Sequence, residues 1–341
     1  MISRFNPSRL KNSLIIFHVL SAFVGFFIYF VNYKISEDLL IQKRLSRQLI
    51  VAKSGSLAIE NLLKNIQSQI SSFLFSFTDI DEFSSIDIDK TRNEFSTYIQ
   101  KSELPINDIA LYGKNGKLLI IENREHVRTG ESQDFSQAEF IKWSMNPPNK
   151  NKIFISTPYL SLSGSSLGKA ILILAEPMYF GNTYKGTLAI RLLIDNFKTA
   201  YVTPLTPDTE SDTFVVNKNG VLLAGNNALL NKNLFTYATD KKWSHYQEFI
   251  SRLKMALKRN TTQTTWNFQN PNSGAKLLLV GISRIDIPNT DQDLYLVVSS
   301  SQEEVVSSLK SLRYYGIAWL GFGILTTTVG SLIIILLGRS E

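Results

Sequence analysis

Arg191 is the ionisable residue whose surroundings most clearly indicate a special role, because it stands alone in the otherwise apolar segment LAIRLLI (188–194). A guanidinium in such a strand needs a partner, since burying an unpaired charge is costly. Three alternatives are open. Arg191 pairs with Glu176 on the neighbouring predicted strand, it faces solvent, or it clamps a bound carboxylate or other anion with two hydrogen bonds.

Residues that carry most catalytic and metal chemistry are scarce. The chain has no cysteine and only three histidines, widely spaced, which excludes thiolate metal sites and a cysteine nucleophile and argues against a histidine metal site. A G-x-S-x-G pattern occurs at 164–168 around Ser166, but a nucleophile elbow needs a strand before it and a helix after it, whereas here a predicted strand follows. The sequence therefore predicts no enzyme activity, no metal site and no cofactor.

The charge distribution gives no support for nucleic-acid binding. The 341 residues include 36 basic and 29 acidic side chains, a net charge of +7. Part of this excess lies in the terminal segments, which leaves the middle of the chain close to neutral. A nucleic-acid surface requires a concentration of basic residues, so we predict no nucleic-acid partner.

Two long apolar segments, 13–31 and 314–338, predict membrane-spanning helices. Neither contains an Asp, Glu, Lys or Arg, any of which would cost about 2.5–3.5 kcal/mol at mid-bilayer. A cleaved signal peptide is the alternative for the first segment, but no small-residue cleavage site follows it. The lipid bilayer is therefore a predicted partner.

The basic start of the chain, 1–12, predicts a cytoplasmic amino terminus. Two spans would return residues 339–341 to the cytoplasm and leave about 34–312 outside, as expected of a two-pass inner-membrane protein with a periplasmic domain.

The segment that follows the first span has the periodicity of one long helix, which predicts a stalk over 34–80. Residues in steps of four and three form an almost wholly apolar stripe: Leu45, Leu49, Ala52, Ser56, Ile59, Leu63, Ile66, Ile70, Phe73 and Phe77. Such a stripe packs on the protein's own domain or on a partner copy. A homodimer is therefore expected.

Two similar groups of predicted strands follow. Each begins with a hairpin around Asn-Gly, at Asn115 and again at Asn219, which is a strong short-range hairpin signal. Each continues with two more strands, at 169–179 and 184–194 in the first copy and at 275–285 and 294–300 in the second. The matching offsets predict a duplicated module. Chance resemblance between two β meanders is the alternative.

The predicted fold class is α+β: a stalk helix and two antiparallel-sheet modules, flanked by two transmembrane helices. The expected modules are a membrane-distal one over 81–203 and a membrane-proximal one over 204–300. A helix over 301–313 leads into the second span.

This pattern resembles the double Cache sensor domain of bacterial transmembrane receptors. The matching stretches include INDIALYGKNGKLLI, KIFISTPYLS, TFVVNKNGVLLA and the strands named above, between two predicted spans. The resemblance implies that both modules are PAS-like, that a small-molecule ligand binds in the distal module and that an output domain follows the second span. No output domain fits into residues 339–341. The chain is therefore expected to be either a sensor that works through a separate cytoplasmic or membrane signalling partner or the amino-terminal piece of a longer receptor. Amino-acid-binding members use positions that align here with a set of six residues: Ala138, Phe140, Ile141, Tyr159, Ser161 and Arg191.

Only Tyr159 keeps the residue type of those amino-acid binders, and Arg191 replaces an acid that would grip the ligand's ammonium group. The resemblance therefore argues against an amino acid and favours an organic acid or similar anion. The expected ligand-binding residues are Arg191, Tyr159, Phe140, Ser156 and Ser161. The alternative function is a membrane-anchored envelope protein whose outer domain binds another protein without sensing a ligand.

Overall fold

The computed structural model describes residues 7–77, 87–206, 212–242, 246–259, 261–270, 274–307 and 309–337. The predicted tail at 339–341 and the last residues of the predicted stalk lie outside these ranges. The described chain is α+β, with a long first helix and two antiparallel sheets.

Eight α-helices are present in the described ranges. They are α1 (Pro7–Ser76), α2 (Ile88–Lys101), α3 (Glu139–Ser144), α4 (Ile194–Phe197), α5 (Leu234–Asp240), α6 (Tyr246–Ala256), α7 (Gln302–Ser307) and α8 (Lys310–Leu337). The predicted stalk is the second half of α1, which continues from the apolar start of the chain without a break.

Eleven β-strands form the two sheets of the described chain. They are β1 (Ile106–Gly113), β2 (Leu118–Asn123), β3 (Phe154–Ile155), β4 (Tyr159–Leu160), β5 (Ala170–Phe180), β6 (Thr183–Leu193), β7 (Thr213–Asn217), β8 (Leu222–Ala224), β9 (Thr261–Asn270), β10 (Gly274–Ile285) and β11 (Leu294–Ser301). The distal sheet has the order β2-β1-β6-β5-β3, with β4 also paired to β5, and the proximal sheet has the order β8-β7-β11-β10-β9.

The two sheets share a topology, as a duplicated module requires. In each, the hairpin predicted at Asn-Gly pairs its first strand with the last strand of the module, and the penultimate strand follows. The hairpin glycines Gly116 and Gly220 have φ values of 77° and 80°, a conformation that favours glycine. The sequence does not predict the edge strand β9, because TTQTTWNFQN is polar and lacks an apolar alternation.

Alternation along the distal strands gives that sheet two different faces. One carries Ile109, Leu174 and Ile190 and packs on α1 and α2 in the main core. The other carries Ala110, Ile173 and Ala189 and packs under α3 and the segment before β5. Since successive residues point to opposite faces, Arg191 lies on the second face.

Helix α1 passes very close to the proximal sheet, and two glycines make this possible. A Cβ atom on Gly281 of β10 would overlap the backbone of Gln48, and one on Gly55 of α1 would overlap Leu205 and Leu296. At this contact Gln48 Nε2 donates to Ser300 Oγ over 2.8 Å, while the buried Ser56 and Ser283 hydroxyls are also 2.8 Å apart.

The chain divides into two compact units, one formed by 1–44 with 302–341 and the other by Leu45–Ser301. Among the described residues one helix is long and apolar enough to cross a membrane: α1 from Ile15 onward, in which an 18-residue window has a mean hydropathy of 2.0 and none of it is buried. The predicted second span falls on α8, and its crossing of a membrane stays a prediction.

Candidate functional site

The centre of the distal module's second face is a buried ion pair between Arg191 and Asp108. These residues lie directly opposite each other on β6 and β1, and Arg191 Nε donates to Asp108 Oδ1. Both side chains are essentially inaccessible, with Arg191 only 1% exposed. Burial is the largest single influence on the pKa of Arg191 and lowers it, but the Asp108 carboxylate together with Tyr112 and Tyr159 outweighs burial, so the pKa is raised.

A serine-rich segment between β4 and β5 covers this pair, and we refer to residues 161–167 as the serine segment. Arg191 Nη1 donates to Ser163 Oγ over 2.7 Å, and Ser166 Oγ donates to Asp108 Oδ2 over 3.2 Å. Asn107 Nδ2 donates to the same carboxylate oxygen over 2.7 Å. Two serine hydroxyls and the side-chain amide of Asn107 therefore hydrogen-bond to the ion pair.

The backbone of the serine segment is placed by a glycine. Gly164 has φ of 68°, and a Cβ there would meet Ile121 and the Arg191 guanidinium. Its amide donates to Thr129 O over 2.8 Å, which joins the segment to the loop after β2. The segment thus closes directly onto the charged pair, and the G-x-S-x-G pattern at 164–168 begins a short turn between strands rather than a nucleophile elbow.

An aromatic group lines the same face. The Tyr112 and Phe140 rings meet edge to face at 5.1 Å, and Trp143 packs on Phe154 at 5.4 Å. Burial raises the pKa of Tyr112 to about 12. Burial, followed by the nearby Tyr112, also raises the pKa of Tyr159. These hydroxyls are therefore neutral at physiological pH and add no charge beside the ion pair.

The structure brings four of the five predicted site residues onto this face near the pair. Arg191, Tyr159 and Phe140 lie on it, and Ser161 belongs to the serine segment, where its hydroxyl lies 2.9 Å from Ser166 Oγ. Ser156 has a structural role. Its hydroxyl accepts a 2.9 Å hydrogen bond from the backbone amide of Ile173 and so links the end of β3 to β5. Whether any of the five binds a ligand stays a prediction.

The predicted alternative pairing of Arg191 with Glu176 is wrong, and so is a solvent-facing Arg191. In the register of β5 with β6, Arg191 lies opposite Ile173 while Glu176 lies opposite Leu188. Glu176 lies three residues after Ile173 on β5. Because successive side chains of a strand alternate between faces, this odd separation places Glu176 on the other face of the sheet. There it accepts a 3.0 Å hydrogen bond from Ser71 of α1.

Glu176 gives a testable pH dependence. Burial raises its pKa, and the Ser71 hydroxyl lowers it to a smaller extent. A raised native pKa means that the folded state binds the proton more tightly, so stability decreases as pH rises from the ordinary glutamate range through that raised value. We expect Glu176→Gln to raise the melting temperature at pH 7 and to lose that advantage near pH 4.

The measurement is a thermal melt of the full chain between pH 4 and pH 8. Glu94→Gln, at an exposed position of α2, is the control for loss of one negative charge. A Glu176→Gln variant that melts lower than the parent at pH 7 would show that the carboxylate form is the stabilising one.

Sequence reasoning missed Asp108 and Ser163, and it considered Ser166 only as a nucleophile and not as a partner of the ion pair. A signal for Asp108 was present, because INDIALY places one acid at the start of an apolar strand in the same way that LAIRLLI contains one base. Pairing these two required knowledge that β1 is a neighbour of β6. The serines carried no comparable signal, since a run of serines is typical of any surface turn.

Comparison with known proteins rests on structure, since no protein-family model and no curated protein matches this sequence. The periplasmic sensory domain of the Campylobacter jejuni chemoreceptor Tlp1 is similar with a TM-score of 0.60 and 14% identity, over 78% of this chain and 98% of that one. The ligand-binding domain of the Pseudomonas fluorescens chemoreceptor CtaA, solved with L-isoleucine, has a TM-score of 0.53 and 14% identity, over 79% and 97%.

An extracellular ligand-binding receptor from Desulfohalobium retbaense is similar with a TM-score of 0.54 and 12% identity over 75% of this chain, which spans 40% of that receptor's length. At these identities the likeness is one of fold. It confirms that this chain shares the fold of periplasmic and extracellular sensory domains, as the predicted resemblance implies. These neighbours are sensory ligand-binding domains, and CtaA has also been solved with L-serine and L-leucine bound.

The expectation that an amino acid is disfavoured is not supported. It assumed that a ligand's ammonium group would face Arg191 alone. In the structure the Asp108 carboxylate lies next to that guanidinium, so the local charge is balanced and the repulsion on which the expectation rested is absent.

Proposed function

We propose that this chain is a membrane-anchored sensor whose distal module binds a small carboxylate-bearing molecule beside Arg191. The observation that carries the proposal is the buried Arg191–Asp108 pair under the serine segment, in a domain with the fold of sensory ligand-binding domains. A guanidinium whose partner is an internal carboxylate can exchange that partner for a ligand carboxylate of the same geometry.

The ligand class follows from the charges of the pair. An organic acid supplies the carboxylate alone and would compete with Asp108 for the guanidinium. An amino acid supplies both charges and could place its ammonium on Asp108 while its carboxylate contacts Arg191. The aromatic rings of Tyr112 and Phe140 offer apolar contact to the rest of either molecule.

Membrane anchoring is the second part of the proposal. Helix α1 provides the first span, and α8 provides the second. In support, α8 carries large exposed apolar side chains along its length, Trp319, Ile324 and Leu332 among them, which in a bilayer would contact lipid. Residues 34–312 would then lie outside the inner membrane, and the signal would pass inward through the two spans. The proposed role is sensing and does not include catalysis.

The test is a thermal-shift screen of the purified full chain in detergent with organic acids and amino acids. A ligand at about 100 times its dissociation constant adds roughly 2.7 kcal/mol of stability and should raise the melting temperature by about 5 °C. A rise in melting temperature with organic acids alone would identify the ligand as an organic acid. A rise with amino acids as well would extend the ligand class to amino acids. The shift should vanish when the charged pair is removed together, in a variant carrying both Asp108→Asn and Arg191→Met.

A second candidate function is favoured by one observation. Leu160 of β4 and Leu162 and Leu167 of the serine segment are all more than half exposed, and exposed apolar patches mark protein-binding surfaces. An envelope protein could dock there without any small ligand. A screen in which no organic acid or amino acid shifts the melting temperature would sink the sensor proposal and favour this alternative.

A further inference from the structure

The duplication of the two modules extends to a pair of aspartates. Asn115 and Asn219, which mark the two hairpins, lie 104 positions apart, and the same offset separates Asp108 from Asp212. Asp108 lies near the start of β1, and Asp212 immediately precedes β7, so both aspartates lie at the first strand of their module. Asp212 is therefore the proximal counterpart of the aspartate that pairs with Arg191.

Backbone hydrogen bonds after the hairpins support this alignment. Leu118 of β2 and Leu222 of β8 are also 104 positions apart. Each of their carbonyl oxygens accepts a hydrogen bond from a backbone amide with positive φ in the loop that follows, from Ser132 with φ of 67° and from Asn231 with φ of 57°. The same offset thus relates equivalent residues of the two modules on both sides of the hairpin turn.

The residue opposite the aspartate differs between the modules. In the distal sheet Asp108 lies opposite Arg191 and pairs with it. In the proximal sheet Asp212 is opposite Ser299 of β11, whose amide donates to the Asp212 carbonyl over 3.0 Å and whose hydroxyl accepts from the Asp212 amide over 3.0 Å. Both contacts involve only the backbone of Asp212. The proximal module therefore has the acid of the distal pair but a serine in place of its base.

The Asp212 carboxylate has no counter-charge within the described part of the chain. No basic side chain there forms an ion pair with it, and no side chain donates a hydrogen bond to it. The residue is half-buried, and this burial raises the pKa of its carboxyl group. A partly desolvated carboxylate without a partner favours any cation that can reach it.

A small cleft lies beside this carboxylate. Its other lining residues are apolar except for one asparagine, and all belong to the proximal module: Phe214, Leu222, Asn226, Leu229 and Leu234. Asp212 and Phe214 are two positions apart, so their side chains project from the same face of the sheet, the face that packs on α5 and α6. The cleft has room for a group of about the size of one water molecule, and an ammonium group is similarly compact.

We propose that the proximal module has a second binding site, in which the Asp212 carboxylate holds the ammonium group of a small primary amine. This inference goes beyond the proposed function, because it concerns the other module and a ligand group of the opposite charge. An ammonium group has three N–H donors and no acceptor, which suits a carboxylate that lacks both a donor and a counter-charge.

The rest of the cleft favours an amine over a metal ion. The leucines and Phe214 offer apolar contact to a short alkyl chain. A hard metal cation such as Ca²⁺ requires six or more oxygen ligands, whereas the side chains of the cleft offer one carboxylate and the amide of Asn226. That amide oxygen already accepts a 3.0 Å hydrogen bond from the Ala228 backbone.

Thermal melting of the purified full chain in detergent tests this site at pH 7, with ethylammonium chloride as the probe. Tetramethylammonium chloride at the same concentration is the control for ionic strength, because that cation has no N–H donor and is too large for the cleft. We expect only ethylammonium to raise the melting temperature, by about 3 °C at roughly ten times its dissociation constant. Equal changes with the two cations would overturn the inference.

A single substitution assigns the response to Asp212. Asp212→Asn removes the charge at nearly constant volume and should abolish the rise with ethylammonium. Because the variant removes a carboxylate that has no partner, it should melt no lower than the parent, which verifies folding. Asp286→Asn is the matched control, since Asp286 is an aspartate of the same module with a 78% exposed side chain, and it should keep the full response. A response that survives Asp212→Asn would overturn the inference.

The variant carrying both Asp108→Asn and Arg191→Met separates this site from the distal one. It should keep the response to ethylammonium and lose any response to organic acids. Loss of the ethylammonium response in this variant, together with its survival in Asp212→Asn, would place the amine at Asp108 and overturn the inference. Failure of the proximal site leaves ligand-induced stabilisation by organic acids unchanged, so it is distinguishable from failure of the proposed function.

Discussion

Replacing Arg191 with methionine is expected to destabilise the protein by about 3–5 kcal/mol, because it removes one partner of a buried ion pair and leaves the Asp108 carboxylate uncompensated. Asp108 is fully buried, and its remaining partners, Asn107 and Ser166, are neutral donors. Neutral hydrogen bonds do not replace a guanidinium. The measurement is denaturant unfolding of the full chain in detergent.

The double variant is the decisive comparison. Combining Arg191→Met with Asp108→Asn removes both charges and keeps similar volumes, so most of the lost stability should return, to within about 1 kcal/mol of the parent. The difference between the double variant and the two single variants gives the coupling free energy of the pair. A double variant as unstable as Arg191→Met alone would mean that packing of the arginine stem, rather than its charge, matters at this position.

The same variants separate stability from recognition. If the pair only stabilises the fold, the double variant should retain any ligand-induced rise in melting temperature. If Arg191 holds the ligand carboxylate, the double variant should be folded and unresponsive. This distinction is available because restoring charge balance restores folding without restoring the guanidinium.

Replacing Gly281 with alanine is expected to cost about 2–3 kcal/mol, because the new methyl group would overlap the backbone of Gln48. Relief requires movement of α1 away from β10, since a backbone atom cannot rotate out of the way as a side chain can. That movement would also break the hydrogen bond between Gln48 and Ser300. Gly321→Ala is the matched control, because a Cβ there meets nothing within 4 Å.

Labelling provides a second readout for this prediction. A cysteine at Ser300, which is fully buried under α1, should react slowly with a thiol reagent in the parent and faster in the Gly281→Ala background. Unchanged stability together with unchanged labelling would contradict the close contact between α1 and the proximal sheet.

Local sequence patterns determined the elements of this protein. The Asn-Gly turns predicted both hairpins, because a glycine with positive φ is needed at Gly116 and Gly220 whatever surrounds them. The stripe from Leu45 to Phe77 predicted the buried side of α1, since helical periodicity depends only on spacing along the chain. Repetition of the same strand groups predicted the shared topology of the two sheets.

Tertiary structure alone decided what the special residues do. Arg191 and Asp108 are 83 positions apart in sequence, and only the pairing of β1 with β6 places them opposite each other. Glu176, in the strand next to Arg191, lies on the other face because a register offset of three residues reverses the side-chain direction. Gly281 likewise has an ordinary place in its strand, and the approach of α1 is what requires it to lack a side chain. The sequence states which side chains exist and their local spacing, whereas partners and faces depend on strand order and register, which are set by the packing of the whole domain.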